Sequence, residues 1–230
     1  MAVTYEDVKQ SQEIRTYITQ ADASLRALGF TEHSYAHVGR CAAIAGDLLR
    51  DLGHDDHTVE LCRIAAFMHD IGNVVNRNDH AQTGAVMAFR ILDKMGMPPA
   101  DVAAVITAIG HHDDPTAYPV NAVAAALILA DKTDVRRSRV RNKDVTSFDI
   151  HDRVNYAVEE SVTQLDREAG TFTLSLSINT QVCPVMDYFE IFLQRMLLCR
   201  KAAEFFHLTY YNKFGQESRT ASPAFPPSRA

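Results

Sequence analysis

The 230-residue chain has no C-x-x-C pair and no apolar run long enough to cross a bilayer. Its four cysteines, Cys41, Cys62, Cys183 and Cys199, are far apart. Cys41 and Cys62 fall inside helix-like apolar patterns, so buried free thiols in a reducing compartment are expected rather than a disulfide framework. The longest apolar run, AVAAALILA at Ala122 to Ala130, is well short of the ~20 residues a spanning helix needs. The opening MAVTYEDVKQSQEIR lacks the apolar core of a signal peptide. A cytoplasmic protein without a membrane partner is therefore expected. Positive charge is in deficit, with 23 Lys and Arg against 29 Asp and Glu and a formal charge of -6. That balance argues against non-specific nucleic-acid binding. No internal repeat is visible. Apolar residues reach 47%, enough for a globular core, and the length suits one large domain with a smaller appendage.

From Tyr5 to about Lys132 the apolar pattern is helical. EDVKQSQEIRTYITQADASLRALG reads as one polar helix stopped by Gly29. SYAHVGRCAAIAGDLLRDLG follows, with a stripe at Val38, Cys41, Ala45, Leu48 and Leu52. HTVELCRIAAFMHDIG ends on a stop signal at Gly72. HAQTGAVMAFRILDKMG starts after Asp79, a plausible N-cap. ADVAAVITAIGHH and NAVAAALILADKTD complete the set. After Arg141 the character changes. TFTLSLSI, Thr171 to Ile178, alternates as a half-buried strand, with Val154 to Leu165 as its hairpin partner. PVMDYFEIFLQRMLLCRKAAEFF is an amphipathic helix with a stripe at Val185, Phe189, Phe192 and Met196. HLTYYNKF is expected to return as a last strand.

Four His-Asp pairs occur: His54-Asp55, His69-Asp70, His112-Asp113 and His151-Asp152. His54-Asp55, in the polar GHDDH, reads as solvated surface, and His151-Asp152, after FDI, as a cap or turn. His69-Asp70 differs because it ends VELCRIAAF, which is apolar on nearly every face. A carboxylate there loses water and meets the negative pole of the helix. A positive group is required. His37 shares the apolar side of its helix, and Asp131 ends the run AVAAALILA. Each alone has an ordinary reading, as a hydrogen-bonded core histidine or an Asp131-Lys132 pair. One divalent cation answers all of them together. His80, in the first turn of its helix, is kept neutral by the positive pole. His111 and His112 close another helix beside Asp113, and adjacent rings repel when charged.

The order His37, His69-Asp70, His80, His111-His112, Asp131, with a helix between most members, resembles the HD superfamily of metal-dependent phosphohydrolases. The likeness covers about Ser34 to Arg141. HVGRCA is similar to the family's H-x-x-R-V-A, and HDIGN to its H-D-I-G-K. HAQTGA is similar to the H-x-x-x-G-A of the two-metal branch, HHDDPTAYP to the H-H-E and Tyr-Pro elements of the HD-GYP group, and LADKTD to the closing aspartate segment. The resemblance implies an HD-type helical bundle, and with the patterns read above the expected fold is mostly α: that bundle over 1–145, a small α+β C-terminal unit over 146–214, and a disordered tail over 215–230. It implies that His37, His69, Asp70 and Asp131 bind a first metal. Asp70 would bridge to a second, held by His80, His111 and His112, with Asp70 and His69 as the catalytic pair. Asn73 departs from the family's lysine. HHDDPTAYP lacks the glycines of the full HD-GYP signature, so cyclic-di-GMP hydrolysis is not supported. His33, one turn before His37, has two readings, a residue lining the pocket or, in preference, an exposed helix-start histidine.

Nitrogen and oxygen donors in this mixture suit one or two ions of Fe, Mn, Co, Ni or Zn better than Mg or Ca. The implied activity is hydrolysis of a phosphate ester, a nucleotide or related phosphorylated small molecule, by a metal-bridging hydroxide. In KTDVRRSRVRNKD, the members nearest Asp131, namely Lys132, Arg136 and Arg137, are the expected substrate contacts, since guanidinium matches phosphate in a two-pronged fashion. Two other readings share these residues. One is an HD-type di-iron oxygenase. The other is a metal-stabilised, non-enzymatic interaction module whose C-terminal hairpin and helix bind a partner. The apolar strand face serves ordinary packing or a homo-oligomer interface equally well.

Overall fold

The computed structural model describes residues 3–113 and 115–215. The expected single N-terminal helix is two, α1 (Tyr5–Gln10) and α2 (Gln12–Ala27). Ser11 explains the break: its hydroxyl accepts from Ile14 N–H and starts a new helix. Next come α3 (Tyr35–Asp51), capped by Ser34, and α4 (Asp56–Met68), capped by Asp55. Of the His54-Asp55 pair, Asp55 is thus an exposed helix cap, while His54 packs edge-on to Phe206. A short 3-10 turn, Ile71–Val74, precedes α5 (His80–Lys94). Then α6 (Pro99–Gly110) and α7 (Ala122–Lys132) complete the bundle.

Helix α7 is buried along its whole length. It packs against α3, α4 and α6, while α5 lies on α6 and on the 3-10 turn. A helix apolar on all faces belongs at the centre of a bundle, and each fully buried Leu or Ile there contributes roughly 1.5–3 kcal/mol.

The second part consists of α8 (Ile150–Ala157), β1 (Val158–Asp166), β2 (Thr171–Ile178), α9 (Val185–Phe205) and β3 (Thr209–Gly215). The hairpin partner therefore starts at Val158, four residues later than the pattern suggested, because Val154–Ala157 closes a helix capped by Asp149. Strands β1 and β2 are antiparallel, pairing Val162 with Ser175, and β3 pairs parallel to β2. A parallel neighbour needs a crossover, and α9 is that crossover. The tail expected to be disordered lies, beyond Gly215, outside the described residues.

The predicted stripe on α9 is only partly right. Of its four members Phe192 alone is fully buried, and the buried face is Tyr188, Phe192, Leu198, Cys199, Ala202 and Ala203. The helix serves two cores in succession. Tyr188 and Phe192 pack with the sheet, whereas Leu198, Cys199, Ala202 and Ala203 enter the core of the bundle. One straight stripe would serve only one of them. All four cysteines are free and buried, as expected. No helix among the described residues is long and apolar enough to cross a membrane.

Gly72 does more than end a helix. Its φ is not in the left-handed region. A Cβ there would lie 2.0 Å from the His80 carbonyl oxygen, 2.5 Å from Gly84 N and 2.7 Å from Thr83 Oγ1. The turn after His69-Asp70 thus seats directly on the first turns of α5, which brings His80 within reach of Asp70. Gly72→Ala is expected to destabilise the protein by about 2 kcal/mol or more through overpacking against backbone, read as a lower Tm. Gly39→Ala, whose Cβ meets nothing within 4 Å, should stay within about 1 kcal/mol of wild type or gain slightly. Equal Tm values for Gly72→Ala and wild type would contradict this account of the turn.

Candidate metal centre

Four histidine side chains are fixed by what their Nδ1 atoms touch. Nδ1 of His37 lies 2.7 Å from Asp134 Oδ2, that of His69 2.7 Å from the Ala66 carbonyl, that of His80 3.0 Å from the Arg77 carbonyl, and that of His112 2.6 Å from the Ile109 carbonyl. A carbonyl or carboxylate oxygen accepts, so Nδ1–H donates in each ring and Nε2 keeps its lone pair. The rings pack edge to face in a chain, with centroids 5.2 Å apart for His37 and His69, 4.9 Å for His69 and His112, and 5.1 Å for His112 and His80. All four are buried.

The Nε2 atoms face carboxylates. His37 Nε2 is 3.3 Å from Asp131 Oδ1 and 3.6 Å from Asp70 Oδ2. His69 Nε2 is 3.3 Å from Asp70 Oδ2 and 3.8 Å from Asp131 Oδ1, and His80 Nε2 is 3.4 Å from Asp70 Oδ1. With Nδ1 carrying the proton, these are acceptors facing acceptors. His69 Nε2 and Asp70 Oδ2 are accordingly buried with no hydrogen-bond partner. Such groups cost free energy unless something positive lies between them. A divalent transition-metal ion fits this donor set of imidazole nitrogen and carboxylate oxygen, and two buried groups within 4.8 Å, His37-Cys41-His69-Asp131 and His69-Asp70-His112, have the proximity that coordination needs.

The electrostatics agree. Burial resists ionisation of Asp70 and Asp131, yet His69 beside the first and Lys132 beside the second outweigh it, and both carboxyls are held well below the usual range. Burial alone would push the His69 ring down, but Asp70 and then Asp131 reverse this and raise it to about 9. A proton on His69 then supplies positive charge beside the two aspartates. His112 goes the other way, to about 3, through burial and then the positive charges of its neighbours. Burial lowers His80 as well.

The groups around the cluster are specific. Asn73, where the resemblance led one to expect lysine, donates through Nδ2 to Asp70 Oδ1 at 2.8 Å and to the Asp70 carbonyl at 3.0 Å. Asp79 stands at the N-cap position of α5 as expected, but with φ 56° and without a side-chain cap bond. Cys41 Sγ is 3.7 Å from His37 Nδ1 and 3.8 Å from Nε2. Burial, and then the charge of Asp131, push this thiol well above its ordinary value, so it stays protonated in the chain alone.

Six of the seven histidines and aspartates singled out as ligands from the sequence converge: His37, His69, Asp70, His80, His112 and Asp131. The seventh, His111, caps α6, its carbonyl accepts from Tyr118 N–H, and its Nδ1 is buried without a partner. Among the described residues no carboxylate lies within ion-pair distance of its ring. Lys132 Nζ is inside the site, 2.8 Å from Asp131 Oδ2 and bonded to Asp113. Arg136 is engaged by Asp134, Glu32 and Ser138, and Arg137 by the Tyr156 carbonyl and Glu159.

His33 corrects an expectation. It is buried, with its ring 5.4 Å from that of His37 and Nδ1 2.7 Å from the Thr31 carbonyl. Asp22, from α2, accepts its backbone N–H and draws it in. His151 and Asp152, read as a cap or turn, lie in the first turn of α8 and line a cavity of about 360 Å³ together with His33, Arg77 and Arg195. Arg77 and Arg195 had no sequence signal, since Arg77 is a lone arginine in a polar turn and Arg195 an ordinary arginine of an amphipathic helix. Arg77 reaches the cluster, with Nη1 3.2 Å from His80 Nε2 and Nη2 3.3 Å from Asp113 Oδ2.

The raised His69 pKa fixes a pH dependence. Its folded value of about 9 exceeds the ordinary 6.5, so in metal-free protein its stabilising contribution is complete below pH 6.5 and is lost as pH rises through 9. A metal needs the ring neutral, and its binding strengthens as protons leave. The Tm gap between metal-loaded and chelator-treated protein should therefore widen by several degrees over that window, at about 2–4 °C per kcal/mol. A pH-independent gap would contradict the assignment of His69.

A family profile described as "HD domain" matches residues 34–154, more than half of the chain. Ribonuclease Y of Cutibacterium acnes is 30% identical over 151 residues, 64% of this chain and 25% of that protein. The chain thus spans about a quarter of the length of that relative. The matched segment holds the entire cluster of converging histidines and aspartates, and the chain belongs to the HD domain family.

Proposed function

We propose that the chain is a metal-dependent phosphohydrolase that cleaves the phosphate ester of a small molecule, a nucleotide or related compound. The observation carrying this reading is the set of imidazole Nε2 lone pairs turned toward Asp70 and Asp131, with His69 Nε2 and Asp70 Oδ2 left unpartnered. On this reading His37, His69, Asp70 and Asp131 hold one ion, and Asp70, His80 and His112 a second. A divalent ion there lowers the pKa of coordinated water and takes up negative charge from phosphoryl oxygens.

The chain's own groups prepare the rest. Asp134 holds the His37 tautomer and is itself held by Arg136 at 2.8 Å and by Arg40 at 3.2 Å. Such outer partners raise ligand basicity. Asn73 fixes the orientation of Asp70. Lys132 keeps Asp131 and Asp113 ionised at a buried site. Arg77 brings positive charge to the His80 side, where a phosphate needs donors.

The name of the Cutibacterium relative brings RNA into consideration as substrate. The chain's formal charge of -6 and the prior engagement of Arg136 and Arg137 by protein oxygens favour a compact ester. The test is phosphate release from a panel of nucleotides, sugar phosphates and a short oligoribonucleotide, with Mn, Fe, Co, Ni or Zn supplied. Asp70→Asn should lower kcat by at least about a hundredfold and bound metal with it. Retention of both by a folded Asp70→Asn protein overturns the reading.

A further inference from the structure

The cavity beside the cluster has two walls of different origin. His33, Arg77 and Arg139 form the wall toward the metal-binding residues. Phe192 and Arg195, from α9, form the facing wall. Helix α9 lies entirely outside residues 34–154, so that wall belongs to the part of the chain the family profile does not reach.

The three arginines in this cavity are not equivalent. Arg139 is buried and spent on backbone, with Nε 2.9 Å from the Glu32 carbonyl and Nη1 2.8 Å from the Asp134 carbonyl. Arg77 is shared between Asn73, His80 and Asp113. Arg195 stacks on Phe192, its guanidinium carbon 4.8 Å from the ring centroid. Among the described residues no acceptor lies within hydrogen-bonding distance of that guanidinium and no carboxylate within ion-pair distance. It is nevertheless partly buried near the site, and burial lowers its pKa, with Asp131 and Asp113 favouring its charge and Arg139 and Arg77 opposing it. The two aspartates are already covered, Asp131 by Lys132 and Asp113 by Lys132 and Arg77.

A guanidinium held over Phe192 without a protein acceptor, lining a cavity beside other arginines and the His-Asp cluster, is open to an anion. We infer that Arg195 anchors the substrate's phosphate, so that the C-terminal unit completes the active site. This rests on the phosphohydrolase reading above. Contact with Phe192 restrains the guanidinium, and its planar fork favours two parallel N–H bonds to a phosphoryl group over a point-charge contact. Asp149, His151 and Asp152, also lining the cavity, offer acceptors to the remainder of the molecule. With about 360 Å³ of space, the fitting ligand is a compact phosphomonoester carrying hydroxyl or amino donors.

The experiment is calorimetric binding of inorganic phosphate to the metal-loaded protein, alongside KM for whichever ester the panel identifies. Arg195→Gln should weaken phosphate binding and raise KM by at least tenfold, with metal content and Tm near wild type. Should Arg195→Gln fail to fold, Arg195→Lys keeps the stem and charge and is expected to lose affinity through loss of the paired donors. Wild-type affinity in either folded variant overturns the inference, and so does a wild-type protein that binds no phosphate. If phosphate binds through Arg195 but no ester is cleaved, the phosphohydrolase reading fails alone. If esters are cleaved with KM unchanged in Arg195→Gln, this inference fails alone.

Discussion

Lone pairs that face one another inside a protein need a cation between them, and the arrangement of this chain follows from that need. Four imidazoles give their protons outward, three to backbone carbonyls and one to Asp134, and three of them, His37, His69 and His80, turn Nε2 toward two buried aspartates. Without a cation the cluster is a concentration of acceptors, and the raised pKa of His69 is the metal-free chain's partial remedy. Each Nδ1 bond belongs to local geometry: in His69 and His112 the acceptor is the carbonyl three residues back, so a helix end alone sets the tautomer.

The fold's task is to bring five chain segments to one point and hold them there. Helix α7 delivers Asp131 because its apolar faces leave it no place but the centre. The contact of Gly72 and Gly84 across the turn sets the distance between Asp70 and His80, since the carbonyl of His69 is only 3.2 Å from where a Cβ on Gly84 would stand. Helix α9 joins the sheet to the bundle and extends a wall over the cavity. Binding, tautomer control and pocket shape thus come from different layers of one packed structure.

Much of this was legible in the sequence, for a reason particular to each element. The helices of the bundle and the strand Thr171–Ile178 carry strong periodicities, and burial follows periodicity directly. His69-Asp70 and Asp131 were conspicuous because charge at the end of an apolar helix conflicts with its surroundings. Breaks and rotations were harder. The division at Ser11 depends on one hydroxyl bond, and the α9 face depends on two cores that no single stripe encodes. The burial of His33 was harder to read because it depends on Asp22, eleven residues away in α2. Arg195 left no trace in sequence because its significance lies in what it fails to contact. Asp134 was visible only as part of LADKTD, and its contact with His37 spans most of the bundle.

The central claim is that a cation occupies the space between the inward nitrogens and the two aspartates. Its most direct measurement is anomalous X-ray scattering from crystals of protein purified without chelator. The account predicts a strong peak bonded to His37 Nε2, His69 Nε2, Asp70 and Asp131 at about 2.0–2.2 Å. A clean map with no such peak, each imidazole being satisfied by its own water or protein partner, would contradict it.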